Sequence, residues 1–154
     1  MGKPFKGELE KLAGTIKWAE QQDVTRLVRF LFAENKQIPL VCIGSGGSLS
    51  ACHYAVLLNL QRNGMLAQAM TPLQLMYSGR EVLRSSKLLF LSASGKNKDI
   101  LNAIKYGVKY NETGMMSLTL RKNNPTEKLL EQYPKVLRWC EDIRREKDGF
   151  LATN

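Results

Sequence analysis

The stretch from Pro39 to Leu60, PLVCIGSGGSLSACHYAVLLNL, constrains this chain more than any other. An apolar run, Leu40-Val41-Cys42-Ile43, stops at Gly44-Ser45-Gly46-Gly47-Ser48, and an apolar, helix-compatible segment begins at once. The pattern predicts strand, tight loop and helix. Successive backbone N–H groups at a helix start lack intrahelical partners and carry partial positive charge, so they attract anions. Glycine lets that backbone approach a ligand with no Cβ in the way. The stretch therefore predicts a site for a phosphate or a phosphorylated small molecule.

The chain around it predicts alternating elements. Glu8 to Gln22 places Leu9, Leu12, Ala13, Ile16 and Ala19 near helical spacing, and Asp23 is placed to cap a second helix running to about Glu34. After the strand Pro39 to Ile43, a helix is expected from about Ser48 to Gln61, stopped by Asn63-Gly64. A short strand fits Leu66 to Thr71, ended by Pro72, which suits a first helical turn. Ser86 to Ser92 is a third strand, and its unbroken Leu88 to Leu91 suits a parallel strand buried on both faces. It runs into a second small polar loop, Ser92-Ala93-Ser94-Gly95-Lys96-Asn97, and a helix from Lys98 to about Tyr110. Strand Gly114 to Leu120, helix Thr126 to Gln132 and strand Lys135 to Trp139 complete the series. Strands alternating with helices predict a single α/β domain over residues 1–154: a three-layer αβα sandwich with a five-stranded parallel sheet.

In such sheets ligands bind beyond the carboxyl ends of the strands, where the strand order reverses. The flavodoxin-like order 2-1-3-4-5 would bring the loops after strands one and three together. Ser45, Ser48, Ser92 and Ser94 could then surround one phosphate with neutral donors, with Gly46 and Gly47 giving close approach. Lys96 either adds charge or points to solvent. Small residues that merely make tight turns are the competing explanation, and one such loop alone would not exceed it.

Other phosphate motifs fail. A dinucleotide fingerprint needs glycine where Leu49 stands and a carboxylate about 20 residues on. No acidic residue lies between Asn35 and Arg80. A P-loop ending in Gly95-Lys96 would need glycine at Phe90 and Ser or Thr at Asn97.

Together the two loops resemble those of the sugar isomerase (SIS) domain, found in phosphosugar isomerases, transferases and phosphosugar-sensing regulators. The likeness lies in Ile43 to Ser48 and in Leu91 to Asn97 with Ile100-Leu101, and in order and spacing it covers about Gln37 to Leu120. It implies that Ser45, Gly46 and Gly47 line a sugar while Ser92, Ser94 and Asn97 hold its phosphate. Lys96 departs from the Glu or Asn common there, and Asn97 from the Thr or Ser, although an amide can still donate. The resemblance implies a phosphosugar-binding domain, one half of an aldose–ketose isomerase or aminotransferase-type enzyme. The alternative is a regulatory module that senses a phosphosugar without turning it over.

Isomerisation needs a base, usually Glu or His. The resemblance implies that the base often comes from a second SIS half, a C-terminal segment or another subunit. No carboxylate lies near the loops in sequence; Glu81 is the nearest beyond the acid-free interval. The single histidine, His53, sits one position out of the register seen in heptose-phosphate isomerases, with Leu57 four residues on, and is read as a helix or interface residue. His53 and Cys52, adjacent and facing different ways, make no metal site, and no cofactor is expected. The terminal Gly149 to Asn154 breaks off after an apolar start, so a truncated first half of a double-SIS protein is expected.

Lysine and arginine total 23 against 14 acids, a net charge of +9. That balance suits nucleic acid as well as phosphorylated metabolites, but the basic residues form no single-face stripe with interleaved aromatics. The mixed run Glu141 to Asp148 reads as a solvated face. No apolar run is long enough to span a membrane and the start is not a signal peptide. Three cysteines, two in apolar elements, fit reduced thiols in a cytoplasmic protein. Apolar excess on the first helices predicts dimerisation; the resemblance implies that the partner is a second copy (a homodimer) or a second SIS domain.

Overall fold

The computed structural model describes residues 5–32 and 37–143, and all statements below concern these. Helices α1 (Phe5–Glu20) and α2 (Thr25–Phe32) lead into strand β1 (Leu40–Ile43). Next come α3 (Gly47–Asn63), β2 (Ala67–Met70), α4 (Pro72–Tyr77), α5 (Arg80–Ser85) and β3 (Lys87–Ser92). The chain continues through α6 (Lys98–Tyr110), β4 (Met115–Thr119), α7 (Pro125–Leu130) and β5 (Leu137–Cys140). The sheet is wholly parallel in the order β2-β1-β3-β4-β5, the order expected from sequence.

Strand side chains alternate between faces, and the core divides accordingly. Val41, Ile43, Leu88, Phe90 and Met115 pack on one face with Leu75, Leu83, Ile100, Ile104 and Leu130 from α4 to α7. Leu40, Cys42, Leu89 and Met116 pack on the other with Phe30 of α2 and Cys52 of α3. Both faces of the central strands are thereby covered, so β1 reads as one continuous apolar run. Helix α6 buries Ile100, Ala103, Ile104 and Gly107, the i, i+3, i+4, i+7 stripe of a core-facing helix.

Several boundaries differ from expectation. The first helix starts and ends earlier, at Phe5 and Glu20. The Asp23 carboxylate accepts from the Thr25 amide at 2.9 Å, and the Thr25 side chain, this amide bond and Arg26 together hold its carboxyl below the usual range. The expected end of that helix near Glu34 lies outside the described residues, as do the terminal Gly149 to Asn154 and most of the mixed-charge run. Between β2 and β3 stand two short helices; Pro72 opens the first of them, as expected, and the second, α5, is not among the expected elements. Thr71 starts α4 with a reciprocal bond pair to Gln74, a capping box visible in the spacing. Strand β5 begins two residues later than expected, because the Val136 amide bonds back to the Tyr133 carbonyl and a turn consumes Lys135.

All three cysteines are free thiols; Cys42 and Cys52 are buried and Cys140 is half-buried. Burial pushes the Cys52 thiol up to about 12, and pushes Cys42 up as well with Cys52 adding to the effect. These raised values mean the folded state holds the thiol protons more tightly than the unfolded chain. The resulting stability is full below the ordinary thiol value of 9.0 and is lost as pH rises above it. Iodoacetamide at pH 8 is therefore expected to leave Cys42 and Cys52 unmodified until the protein unfolds. Rapid native labelling at either, mapped by peptide mass spectrometry, would contradict this packing.

Candidate functional site

The strand order reverses between β1, which runs to β2 on one side, and β3, which runs to β4 on the other. Ile43 pairs with Phe90, so the loops leaving β1 and β3 start side by side. Between them lies a cleft of about 360 Å³ lined by Ser45, Gly46, Gly47, Ser48, Ser92 and Ser94, with Asn97, Leu91, Ala93 and Ile100 completing it. That is within the size range of small-ligand sites. Seven of the eight residues expected from sequence share this cleft. The eighth, Lys96, is exposed and outside the lining.

The first loop is shaped by its glycines. A Cβ on Gly44 would lie 2.6 Å from the Ser48 carbonyl oxygen and 2.8 Å from Cys52 Sγ, so only glycine lets the strand end press against α3. Gly46 sits at φ 57°, ψ −132°, a region that L side chains disfavour. It precedes α3, whose amino end has no side-chain cap, unlike those of α4, α6 and α7. The Leu49 amide bonds to the Gly46 carbonyl at 3.0 Å, which leaves the Gly47 and Ser48 amides of α3 at the cleft without partners among the described residues. The Ser45 and Ser48 hydroxyls also have no partner among the described residues.

The second loop is organised by its own side chains. Ser92 Oγ accepts from the Gly95 amide at 3.2 Å and Ser94 Oγ from the Lys96 amide at 3.3 Å. Each hydroxyl keeps its O–H to donate elsewhere. Asn97 caps α6, its Oδ1 accepting from the Asp99 and Ile100 amides at 2.8 and 3.2 Å. That commitment of the oxygen leaves its NH₂ as the group able to face a ligand. The cleft therefore offers hydroxyl, amide and backbone donors at two helix starts, each equivalent to roughly half a positive charge. Among the described residues no charged side chain lines it. Such a surface suits an anion bound through neutral donors.

A supporting layer escaped the sequence reading. The Gly95 carbonyl accepts from the Thr126 amide at 3.0 Å and from Thr126 Oγ1 at 2.9 Å. Buried Asn124 stands against Gly95 and donates to Thr119 Oγ1 at 3.0 Å and the Arg121 carbonyl at 2.5 Å. Its Oδ1 accepts from the Glu127 amide at 3.0 Å, capping α7. The signal available in sequence was Asn124-Pro125-Thr126-Glu127, a capping box, but nothing local links it to Gly95, some 30 residues away in the chain.

The two candidate bases lie elsewhere. Glu81 is exposed on α5, which leads into the amino end of β3, and pairs with Arg84 at 3.5 Å; Arg84 also holds Glu112 at 3.1 Å. That group sits at the amino ends of the strands, the opposite end of the sheet from the cleft. His53 is exposed on α3 and is absent from the cleft lining. Among the described residues no group of three or more His, Cys, Asp or Glu is placed to hold a metal ion.

No protein-family model matches the chain, and no curated protein matches its sequence. Solved structures do match in fold. The chain superposes on the Vibrio vulnificus NanR protein, solved with ManNAc-6P, at TM-score 0.68 and 18% identity, covering 96% of this chain and 56% of that one. It matches Escherichia coli CFT073 c3406, solved in complex with a phosphosugar, at 0.63 and 12%, covering 94% and 74%. It matches the E. coli tagatose-6-phosphate ketose/aldose isomerase at 0.61 and 10%, covering 96% and 42%. The chain shares the fold of these three proteins, a five-stranded parallel α/β sandwich consistent with SIS domains. It spans about half the length of the NanR protein. No helix among the described residues is long and apolar enough to cross a membrane.

Proposed function

We propose that this chain is a phosphosugar-binding SIS domain whose ligand sits between the Gly44–Ser48 and Ser92–Asn97 loops. One observation carries the reading: two Gly/Ser loops on neighbouring strands, both opening helices, line a single cleft that is free of carboxylates among the described residues. Ser92, Ser94 and Asn97 hold the phosphate, while Ser45, Ser48 and the backbone at Gly46 and Gly47 meet the sugar. Lys96 contributes only long-range charge from the surface. The two neighbours solved with phosphosugars support a sugar phosphate over other anions.

Among the described residues the cleft lining holds groups that bind and none able to take a proton from carbon. Turnover by an isomerase or transferase would then need a base brought by a second SIS domain or another subunit. Sensing without turnover is the second reading, supported by that same lining and by the likeness to NanR. Leu9, Leu12 and Ile16 of α1 and Tyr54 and Leu57 of α3 are exposed. Such apolar surface suits a homodimer or a second SIS domain as partner, in a cytoplasmic protein.

A panel of hexose, pentose and heptose phosphates tests the binding reading. At least one is expected to raise Tm, since a ligand at 100 times its Kd stabilises by about 2.7 kcal/mol. No shift with any member would count against the assignment. Aldose–ketose assays on the same panel then separate the readings: binding without interconversion favours a sensor.

A further inference from the structure

The amino ends of the strands carry a second cavity, of about 790 Å³, walled by α2, the start of β3 and the segment entering β5. Five cationic side chains line it, Arg26, Arg29, Lys87, Lys135 and Arg138, and among the described residues no carboxylate does. Arg26 and Arg29, three apart on α2, share one face. Lys87 differs from the others in being only 7% exposed. Its ammonium donates to the Phe30 carbonyl at 2.8 Å and lies 5.7 Å from the centre of the Phe30 ring. An ammonium has three donors, and one is used among the described residues. The Phe30 carbonyl belongs to the last turn of α2, where the helix dipole is negative, which positions the lysine without neutralising it. Glu112, beside the lining residue Thr113, is already engaged by Arg84. Among the described residues Lys87 has no counter-charge; a buried cation so placed is costly to keep, and four further cations around it raise that cost.

We propose that this cavity binds a small molecule carrying two or more phosphate groups, at a site separate from the carboxyl-end cleft. A multiply charged anion matches five cations better than a single phosphate does, and arginine pairs on one helix face suit phosphate oxygens. The concave shape favours a compact ligand over nucleic acid, which would call for an extended basic stripe with stacking aromatics.

Isothermal titration of the full chain with inorganic tripolyphosphate and with ATP, at low and at raised salt, tests this. Binding is expected, weakened by salt. Arg26→Ala/Arg29→Ala/Lys135→Ala, all at exposed positions, should lower affinity for tripolyphosphate at least about tenfold. Lys87→Met, which keeps the apolar stem, should lower it comparably while leaving Tm unchanged or higher. Ser92→Ala/Ser94→Ala should leave it unchanged. The proposal is overturned by absent binding of both probes, by unaltered affinity in the triple variant, or by loss of affinity in the serine variant. Duplex DNA that binds and is not displaced by tripolyphosphate would overturn it in favour of a nucleic-acid surface.

Discussion

Gly95→Ala is expected to lower the unfolding free energy by about 2–5 kcal/mol and to remove any rise in Tm caused by a sugar phosphate. Gly95 adopts φ +63°, and an added Cβ would lie 2.1 Å from Asn124 Oδ1 and 2.3 Å from its Cγ. The left-handed conformation alone costs a side chain roughly 1–2 kcal/mol, and overpacking a tight site adds about 1–3 kcal/mol. Asn124 cannot step aside cheaply, because it is buried and holds Thr119, Arg121 and the amino end of α7. The clash must therefore displace the loop that presents Ser92, Ser94 and Asn97. Urea denaturation with and without ligand reads both effects. A variant with wild-type stability and an intact ligand shift would mean that Asn124 does not fix the loop.

Ser92→Ala together with Ser94→Ala is expected to abolish the ligand-induced shift in Tm at a smaller cost in stability. Each substitution deletes one hydroxyl donor from the cleft and one intraloop acceptor, for Gly95 and Lys96 respectively. A hydrogen bond to a charged partner is worth about 1.5–3 kcal/mol, so losing two weakens phosphate binding by roughly two to four powers of ten. The lost intraloop bonds should cost the fold no more than about 1–3 kcal/mol together. Calorimetry with the best ligand of the panel and circular dichroism melts separate the two effects. Retained affinity in a folded double variant would remove the serines from the site.

The parts of this fold that are legible in the sequence are those dictated by neighbouring residues. Leu88 to Leu91 announces a strand covered on both faces, and Leu88, Leu89 and Phe90 lie in the core. The alternation of strands with helices points to a parallel sheet, because parallel strands need crossovers on covered faces. Boundaries and elements are misplaced where the local signal is too short or is overridden by a turn. Helix α5 is six residues long and buries only Leu83, too short for a periodic stripe to show. Strand β5 starts two residues later than its apolar pattern suggests because Val136 is buried, yet its amide closes a turn to Tyr133. Within the cleft, seven residues can be named from sequence because each loop is contiguous there. The grip of Asn124 and Thr126 on Gly95 arises only when β4 lies beside β3, a pairing no short stretch specifies. Lys96 shows the same limit: its position in the loop is clear from sequence, but the direction of its side chain is not.

The most direct test of the central claim is a titration of ¹⁵N-labelled protein with the phosphosugar that most raises Tm, followed by amide chemical shifts. The amides of Ser45 to Ser48 and of Ser92 to Asn97 should move together with one binding constant, while those of Thr113 to Met116 at the amino end of β4 stay in place. Shifts confined to one loop, or centred on the amino ends of the strands, would contradict a shared phosphosugar site between the two loops.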